Sequence, residues 1–337
     1  MWVRFPPPLL AAIILREVII IFVCVFNPFK ETQMKITVAN PGRILTKTGF
    51  YEYDYCLNPY VGCRFGCAYC YVRFFLKDDK PWGAFVRTRD HLPTKLPNEL
   101  KALPLVLKKR GKVKWTGPPI QDARIVMGTM TDPYQPIEKT RKLTRKALEI
   151  LLAHKPKMVG LFTRSPLAAR DIDLFQKIPL MRIHVTITPL PQNIKKRLEP
   201  VPVTMKVGLQ LVEKLKQAGV ETHVNIAPAL PTFSEQYTKF LAEEMARLKV
   251  DQFFLDPMQP YKDSLEKVSE ILNNDPGWSQ VKALMSDKKK YIKWKEKLHA
   301  DWMEAWDQSK SPDTLAIACD HERDIWRDMH TGKDIPH

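Results

Sequence analysis

The stretch "NPYVGCRFGCAYCYVRFF", residues 58–75, decides how this chain is interpreted, because it holds three of the six cysteines. Cys63, Cys67 and Cys70 follow the spacing C-x3-C-x2-C, flanked by glycines and aromatic residues. Thiolates ligate iron–sulfur clusters well, and this spacing lets one loop cover one face of a cubane. Three cysteines hold three irons of a four-iron cluster. The fourth iron then stays open for a small chelating ligand, as a catalytic zinc keeps one position open.

The other three cysteines leave alternatives open. Cys56 precedes this group and is interpreted as a fourth thiol near the cluster, a redox relay, or a small buried apolar residue. With the other three it could also make a closed zinc site of four thiolates, although no paired CxxC occurs elsewhere. Cys24 and Cys319 are expected to be structural or incidental.

Composition sets the broad class. The chain has 337 residues, 45% hydrophobic and 27% charged, which is typical of a soluble globular protein of one large or two moderate domains. Clustered cysteines in so long a chain exclude a secreted disulfide framework and indicate a reducing interior, so a cytoplasmic location is expected. The net charge of +16 favours lysine-rich solvated faces over nucleic-acid binding as the main function, although nucleic acid stays a possible partner.

Residues 1–33 form a separate apolar segment, interrupted by Arg16 and Glu17. Its unbroken apolar pieces are too short to cross a bilayer of about 30 Å. Three interpretations are ordered by preference: a start placed too early, with Met34 as the second start; an interfacial anchor; and a true span. A membrane partner is therefore not expected.

Past Met34 the chain alternates buried strand patterns with amphipathic helix patterns, which predicts βαβ units and a parallel sheet. With a strand expected just before Cys63, about six units result, fewer than a full barrel needs. The predicted fold class is α/β: a partial (β/α)6 TIM-type barrel over residues 34–261, with a helical, Lys- and Trp-rich C-terminal extension over 262–337. The predicted strands cover 123–130, 158–164, 181–189, 220–231 and 251–261, and the predicted helices cover 137–156, 166–178, 203–219 and 234–250. Two boundaries are predicted in detail: Gly219 ends one helix, and Ser234 caps the start of another.

The motifs resemble the radical S-adenosylmethionine (SAM) superfamily, and within it the spore photoproduct lyase-like (SplB-related) group. The resemblance covers roughly residues 45–260, and its most specific motif is the cysteine stretch. It rests on the segments "NPYVGCRFGCAYCYVR", "GTMTDPYQPIE", "TRSPLAARDIDLF", "HVTITP" and "IAPALP". It implies a [4Fe–4S] cluster, SAM bound at the open iron, and one-electron cleavage of SAM to a 5′-deoxyadenosyl radical that abstracts hydrogen from a substrate. An electron donor of the ferredoxin or flavodoxin type is implied as a partner.

The resemblance also implies roles for particular residues. Cys63, Cys67 and Cys70 match the cluster ligands. The matched cofactor-binding positions are Tyr71 near SAM, Thr131 and Asp132 after the second strand, Arg164 on the third strand in place of a lysine, and Thr186 on the fourth in place of a serine. A hydroxyl can bond a ribose or carboxylate, and arginine can bind a carboxylate with two donors.

One position departs from the lyase pattern. The lyases carry a cysteine two residues before the Ser-Asp step, and this cysteine returns a hydrogen atom to the product radical. Thr129 stands there in this chain. A threonine O–H bond is too strong for that role, so a paralogous enzyme with another, unassigned substrate is expected.

The histidines and the basic segments are weaker candidates. His184 and His223 lie on predicted strands; either could reach the site, but core histidines are expected. His154 is expected to cap a helix end. His321 and His330 suggest a small metal site, but a solvated helix turn is preferred. Two basic segments interleave aromatics at 107–115 and 288–297. They could track phosphates and stack on bases, but lysine-rich exposed helices, with Trp294 turned inward, are the preferred interpretation.

The sequence thus predicts a radical SAM enzyme that takes hydrogen from an unknown substrate. The alternatives are a metal-stabilised nucleic-acid-binding protein with structural cysteines, and a DNA photoproduct lyase-type repair enzyme that lacks the usual cysteine hydrogen donor.

Overall fold

The structure is a computed structural model that describes residues 35–50, 52–109 and 112–309, and the backbone of three further strands at 315–320, 325–328 and 334–335. The interpretations of residues 1–33, including Cys24, and those of His321 and His330 lie outside the described residues. Among the residues described, no helix is long and apolar enough to cross a membrane.

A ten-stranded sheet is the centre of the described fold. Its spatial order is β2-β3-β8-β9-β10-β11-β12-β13-β14-β15, and all pairs from β3 to β13 are parallel. The strands of the described chain are β1 (Lys35–Val38), β2 (Leu45–Lys47), β3 (Tyr55–Leu57), β4 (Tyr60–Val61), β5 (Phe85–Thr88), β6 (Val106–Lys109), β7 (Lys112–Thr116), β8 (Arg124–Met127), β9 (Met158–Thr163), β10 (Met181–Ile187), β11 (Glu221–Ala229), β12 (Gln252–Pro257), β13 (Leu315–Asp320), β14 (Ile325–Asp328) and β15 (Asp334–Ile335).

The sheet remains open, as a partial barrel does. Its two edge strands, β2 and β15, each have one hydrogen-bonded neighbour among the described strands. The predicted α/β class and the parallel order are therefore confirmed, and the described strands do not close into a barrel. All five predicted strand segments contain a strand.

Alternation along each strand separates two faces of the sheet. Ile125 and Met127 join the large core packed under the helices, whereas Val126 joins a small cluster on the other face with Tyr53 and Cys56. One face is thus covered by helices, and the other faces the interior of the partial barrel.

The described α-helices are α1 (Val72–Phe75), α2 (Leu92–Lys101), α3 (Glu138–Arg141), α4 (Leu143–His154), α5 (Ile172–Phe175), α6 (Gln192–Leu198), α7 (Met205–Gln217), α8 (Thr238–Arg247), α9 (Lys262–Leu272), α10 (Trp278–Ser286) and α11 (Lys288–Gln308). Short 3-10 helices at Pro166–Asp171 and Glu235–Tyr237 precede α5 and α8.

Three helix predictions need correction in detail. The segment 137–156 is two helices, because Lys142 adopts a left-handed conformation with φ of 54° between α3 and α4. The segment 166–178 begins as a 3-10 helix at Pro166–Asp171 and continues as the short α5. Ser234 does not cap a helix, since its hydroxyl accepts from Leu230 N and donates to Pro189 O.

The end of α7 is as predicted. This helix stops at Gln217, and Gly219 follows with φ of 71°. A left-handed residue just past a helix end is favourable for glycine, which has no Cβ to clash.

The C-terminal extension is helical only as far as Gln308. Trp294, Trp302 and Trp306 of α11 are buried, which agrees with the predicted inward turn of Trp294. The segment 315–320 was expected to be part of the helical extension, but it is β13, which pairs in parallel with β12 from Leu315 opposite Gln252. The physical reason is that an uncovered β12 would leave a row of backbone donors and acceptors unpaired.

Candidate cofactor site

The three clustered cysteines lie on one loop between β4 and α1. The loop follows β3, the first parallel strand, at the end where parallel sheets hold their chemistry. Tight turns shape it: Gly66 N donates to Cys63 O at 3.2 Å, and Cys70 N donates to Cys67 O at 3.2 Å. Cys63 and Cys67 are buried, and Cys70 is half-buried.

Two glycines allow the loop to pass close to the segment before β5. Gly66 has φ of 59° and Gly83 has φ of 91°. A Cβ on Gly83 would stand 2.9 Å from Gly66 Cα, closer than real Cβ atoms come. Because glycine has no Cβ at either position, the cysteine loop can lie directly against the segment before β5.

All eight predicted site residues line one pocket that is open to solvent. The predicted residues in its wall are Cys63, Cys67, Cys70, Tyr71, Thr131, Asp132, Arg164 and Thr186. They come from the cysteine loop and from the ends of β8, β9 and β10. Their proximity is a finding, whereas their individual roles stay predictions.

The sequence did not point to several other residues of the wall. These are Phe65, Gly66, Val72, Trp82, Gly128, Phe162 and Thr163. The indole nitrogen of Trp82 is buried and has no hydrogen-bond partner among the described residues. Such a donor suits an acceptor held inside the pocket.

Tyr71 and Thr131 are held in place by backbone carbonyls. The Tyr71 hydroxyl donates to Thr129 O, and the Thr131 hydroxyl donates to Gly62 O at 2.6 Å. Gln135 donates its amide to Thr131 Oγ1 at 3.0 Å. Thr129, the residue that replaces the lyase cysteine, also lines the pocket.

Asp132 organises the junction of β8 and β9. Its carboxylate accepts from Thr163 Oγ1 at 2.7 Å, from Arg164 N at 2.9 Å and from Tyr134 N at 2.8 Å. Burial raises the pKa of Asp132, and these donors oppose the rise. Asp132 therefore holds the backbone around Arg164 in place. Its carboxylate already accepts hydrogen bonds from three donors of the protein.

Arg164 extends over the cysteine loop. Its guanidinium carbon lies 5.9 Å from the ring centres of Phe65 and Tyr69. Its Nη1 donates to the Tyr69 hydroxyl at 3.0 Å and lies 3.3 Å from Glu199 Oε1. Tyr69 is the aromatic residue before the last cysteine of the motif, whereas Glu199, 130 positions from Tyr69, was not selected from the sequence.

The thiols have electrostatic surroundings that differ from one another. Burial raises the pKa of all three, to about 12 for Cys70. At Cys63 the Asp132 carboxylate adds to the rise, whereas at Cys67 the Arg164 charge opposes it. Binding to metal would have to compensate the cost of ionising buried thiols, as iron coordination does.

The donor set fits an iron–sulfur cluster. Three thiols share one pocket wall with an unpartnered indole donor, and a glycine contact admits the loop. Within the described ranges, no three His, Cys, Asp or Glu residues are grouped to hold one metal ion. The three thiols line one pocket wall, and their role as ligands of the cluster stays a prediction.

Cys56 lies apart from this wall. It is on the inner face of β3, and its sulfur is 3.0 Å from Thr46 Oγ1. It is not among the residues that line the pocket. The closed zinc site of four thiolates therefore has no support in this arrangement.

The two strand histidines lie in the sheet interior. His184 Nε2 is 2.8 Å from the Tyr53 hydroxyl, and its ring stacks on Phe162 with centres 4.2 Å apart. His223 lies beside it, with ring centres 4.7 Å apart. Burial lowers the pKa of His184 well below its ordinary value. Both are core histidines, as expected, and neither lines the pocket.

The remaining candidates from the sequence have different outcomes in the structure. His154 ends α4 with its Nδ1 2.9 Å from Ile150 O, which agrees with the predicted helix-end role. The basic segment 288–297 is helical, but 107–115 was expected to be an exposed helix and belongs to the hairpin β6–β7. Alternating Val and Lys suits an exposed strand better than a helix. Cys319 lies in β13, of which only the backbone is described.

Comparison with known proteins gives consistent relatives. The chain is 29% identical over 227 residues to an uncharacterised protein of Methanocaldococcus jannaschii, covering 64% of this chain and 79% of that protein. It is 26% identical over 243 residues to an uncharacterised protein of Acidianus two-tailed virus, covering 67% and 72% of the two chains.

Solved structures show the same fold. A spore photoproduct lyase variant with bound AdoMet and dinucleoside spore photoproduct superposes with a TM-score of 0.58 at 16% identity, covering 83% of this chain and 80% of that one. At this identity the likeness shows the fold alone. The Radical SAM superfamily matches residues 57–245, which include the three clustered cysteines and the whole pocket wall. Because this match spans more than half of the chain, the chain belongs to the radical SAM superfamily and is an enzyme whose cofactors are a [4Fe–4S] cluster and S-adenosylmethionine.

Proposed function

We propose that this enzyme holds a [4Fe–4S] cluster through Cys63, Cys67 and Cys70 and reductively cleaves SAM to take a hydrogen atom from a substrate. When bound, the cluster and SAM supply a 5′-deoxyadenosyl radical. The observation that supports this most is the convergence of the three thiols and five other predicted residues on one pocket. The protein supplies binding, orientation and exclusion of water.

The pocket residues have separable tasks in this proposal. Tyr71 and Thr186 offer hydroxyl groups beside the cysteines, and Trp82 offers an unpartnered N–H. Phe162 contributes an aromatic ring to the pocket wall, and this ring stacks on His184 with centres 4.2 Å apart. Arg164 places a guanidinium beside the loop for an anionic group.

The test is anaerobic reconstitution with iron and sulfide, followed by a SAM-cleavage assay with a strong reductant. We expect close to four irons per chain in the wild type and release of 5′-deoxyadenosine. Cys63→Ala, Cys67→Ala and Cys70→Ala should each lose the cluster and the activity, whereas Cys56→Ala should keep both. A triple variant that retained full iron would overturn the proposal, and so would a loaded wild type that never cleaves SAM.

The threonine at position 129, where the lyases carry a cysteine, supports a substrate other than spore photoproduct. It lines the pocket, but its hydroxyl accepts from Asn58 Nδ2 at 3.2 Å and cannot return a hydrogen atom usefully. A photoproduct-lyase reaction is the second candidate, supported by the shared fold. Repair of a dinucleoside photoproduct by the wild-type enzyme would establish the photoproduct-lyase reaction instead.

The proposal includes a partner and a location. A ferredoxin- or flavodoxin-type donor would supply the electron. The four cysteines whose surroundings are described are free thiols, which suits the cytoplasm. Stimulation of 5′-deoxyadenosine release by either carrier, compared with dithionite, measures that partnership.

A further inference from the structure

A buried charge cluster lies behind Cys67. It comprises Arg164, Lys195 and Glu199, with the Tyr69 hydroxyl among them. Lys195 Nζ and Arg164 Nη1 are each 3.3 Å from Glu199 Oε1, and the Tyr69 hydroxyl donates to the same oxygen. The loop and α6 are also joined through the backbone, since Ala68 N donates to Leu198 O at 2.9 Å.

The cluster is costly for the fold. Lys195 is 2% exposed and Glu199 is 0% exposed, and Glu199 Oε2 is buried without a partner among the described residues. Buried ion pairs seldom stabilise a protein more than apolar residues of similar volume would. Two cations share one carboxylate here, so the group carries a formal surplus of one positive charge beside a thiol.

The charges around the loop are unevenly distributed. Asp132 lines the pocket wall together with Cys63. Lys195 and Glu199 belong to α6 and its C-terminal end, where Leu198 O accepts from the backbone N–H of Ala68, the residue after Cys67. Arg73 approaches from the other side, with Nε 3.4 Å from Cys67 O. Cys67 is therefore the point where α6 acts electrostatically on the proposed cluster.

We infer that Lys195 and Glu199 are positioning residues that set the reduction potential of the cluster, with opposite signs, through their charges behind Cys67. This inference rests on the proposed function. A reduced cluster carries one more negative charge than an oxidised one. A buried cation nearby favours reduction, and a buried carboxylate opposes it, because interior charges are poorly screened.

The test is the midpoint potential of the reconstituted cluster, measured by EPR-monitored titration. Glu199→Gln should make reduction easier and shift the midpoint to a more positive value. Lys195→Met should shift it to a more negative value. We expect each shift to correspond to roughly a tenfold change in the reduction equilibrium, about 59 mV for one electron.

Matched variants distinguish an effect of charge on the midpoint potential from an effect of structural damage. The double variant Lys195→Met/Glu199→Gln has the net charge of the wild type and should return towards its potential, and Lys195→Arg should stay close to it. The exposed pair Lys297 and Asp301 on α11 offers the control, since Lys297→Met and Asp301→Asn should shift nothing. Iron content and thermal unfolding of each variant are measured in parallel.

The outcomes are distinct. A wild type that loads the cluster and cleaves SAM, with single variants that do not move the potential, would overturn this inference and leave the proposed function standing. A wild type without a cluster would remove both. If Glu199→Gln fails to fold, the comparison of Lys195→Met with Lys195→Arg decides alone, because only the former removes charge.

Discussion

Single residues determine how closely the cysteine loop approaches its supports. The loop has backbone conformations that most side chains resist, and its neighbours occupy the space a Cβ would need. Gly62 illustrates this, since its φ is 82° and an added Cβ would stand 2.6 Å from Phe85 O. The path of the loop therefore depends on its glycines, which have no Cβ, as well as on its cysteines.

Gly83→Ala tests that contact. The added methyl would meet Gly66 Cα, and the positive φ adds strain, so we expect a loss of about 2 kcal/mol in the free energy of unfolding and weaker iron retention. Gly49→Ala is the control, because no atom lies within 4 Å of its Cβ position. Urea denaturation and iron content measure the two effects. Equal behaviour of both variants would contradict the prediction.

His184 makes stability depend on pH. Its pKa is lowered by burial and by the neighbouring His223 and Arg182, so the folded state holds it neutral where the unfolded chain binds a proton. Stability contributed this way is present above the unfolded pKa of about 6.5 and is lost as pH falls below it.

Unfolding measurements between pH 7.5 and 5.5 test this prediction. We expect His184 to account for a loss of about 1.4 kcal/mol over that interval, provided that it stays neutral in the folded state. His184→Gln should flatten the pH dependence by that amount. Phe162→Leu removes the stacked ring but keeps the imidazole, so it should retain the slope. An unchanged slope in His184→Gln would refute the assignment.

At the scale of elements, a buried carboxylate joins α3 to its surroundings. Glu138 is 0% exposed and accepts from the Tyr60 hydroxyl, from Thr144 N at 3.0 Å and from Arg170 Nη2 at 2.7 Å. It therefore connects β4, the start of α4 and the 3-10 turn after β9. These three pieces flank the loops that build the pocket.

Glu138→Ala should destabilise the fold by about 3 to 5 kcal/mol, because it leaves the buried Tyr60 hydroxyl and Thr144 N without their acceptor and removes one of the two carboxylates that pair with Arg170. Glu149→Ala is a matched surface change, since Glu149 is 52% exposed and 3.3 Å from Arg145 Nε. We expect that control to cost about 0.5 kcal/mol or less. Chemical denaturation of both variants compares them directly, and similar losses would contradict the role given to Glu138.

The elements also show what the sequence could and could not predict. The apolar run Ile125–Met127 made β8 predictable as a buried strand, but the face that each of its residues occupies was not predictable, because all three are apolar. The pocket was predictable from motifs, because the carboxyl ends of parallel strands meet at one edge. The break at Lys142 was not readable, since lysine rarely takes a left-handed conformation. Glu199 was missed because Tyr69 and Arg164, through which it reaches the cysteine loop, are distant from it in sequence.

At the scale of the whole molecule, the net charge is +16, and part of the positive charge is concentrated in the hairpin β6–β7. Its lysines at 108, 109, 112 and 114 are exposed. We expect weak, sequence-independent binding of single-stranded DNA, with dissociation constants of roughly 10⁻⁴ to 10⁻⁶ M that weaken steeply with salt.

Replacing these four lysines by serine tests the source of that binding. The slope of log affinity against log salt should fall by up to about 3, following the released counterions. Four exposed lysines elsewhere, replaced in the same way, give the control: Lys139, Lys155, Lys157 and Lys177. Tight binding that survives high salt would instead support the alternative of a nucleic-acid-binding protein.

The order of the strands has a consequence for synthesis. From β2 to β15 the strands of the large sheet lie side by side in the order in which the ribosome makes them. A nascent chain can therefore extend the sheet one edge strand at a time. The cysteine loop emerges early, however, while Glu199, 130 positions after Tyr69, emerges much later. Until α6 has been translated, the loop lacks the helix that supports it, so we expect cluster insertion to follow translation.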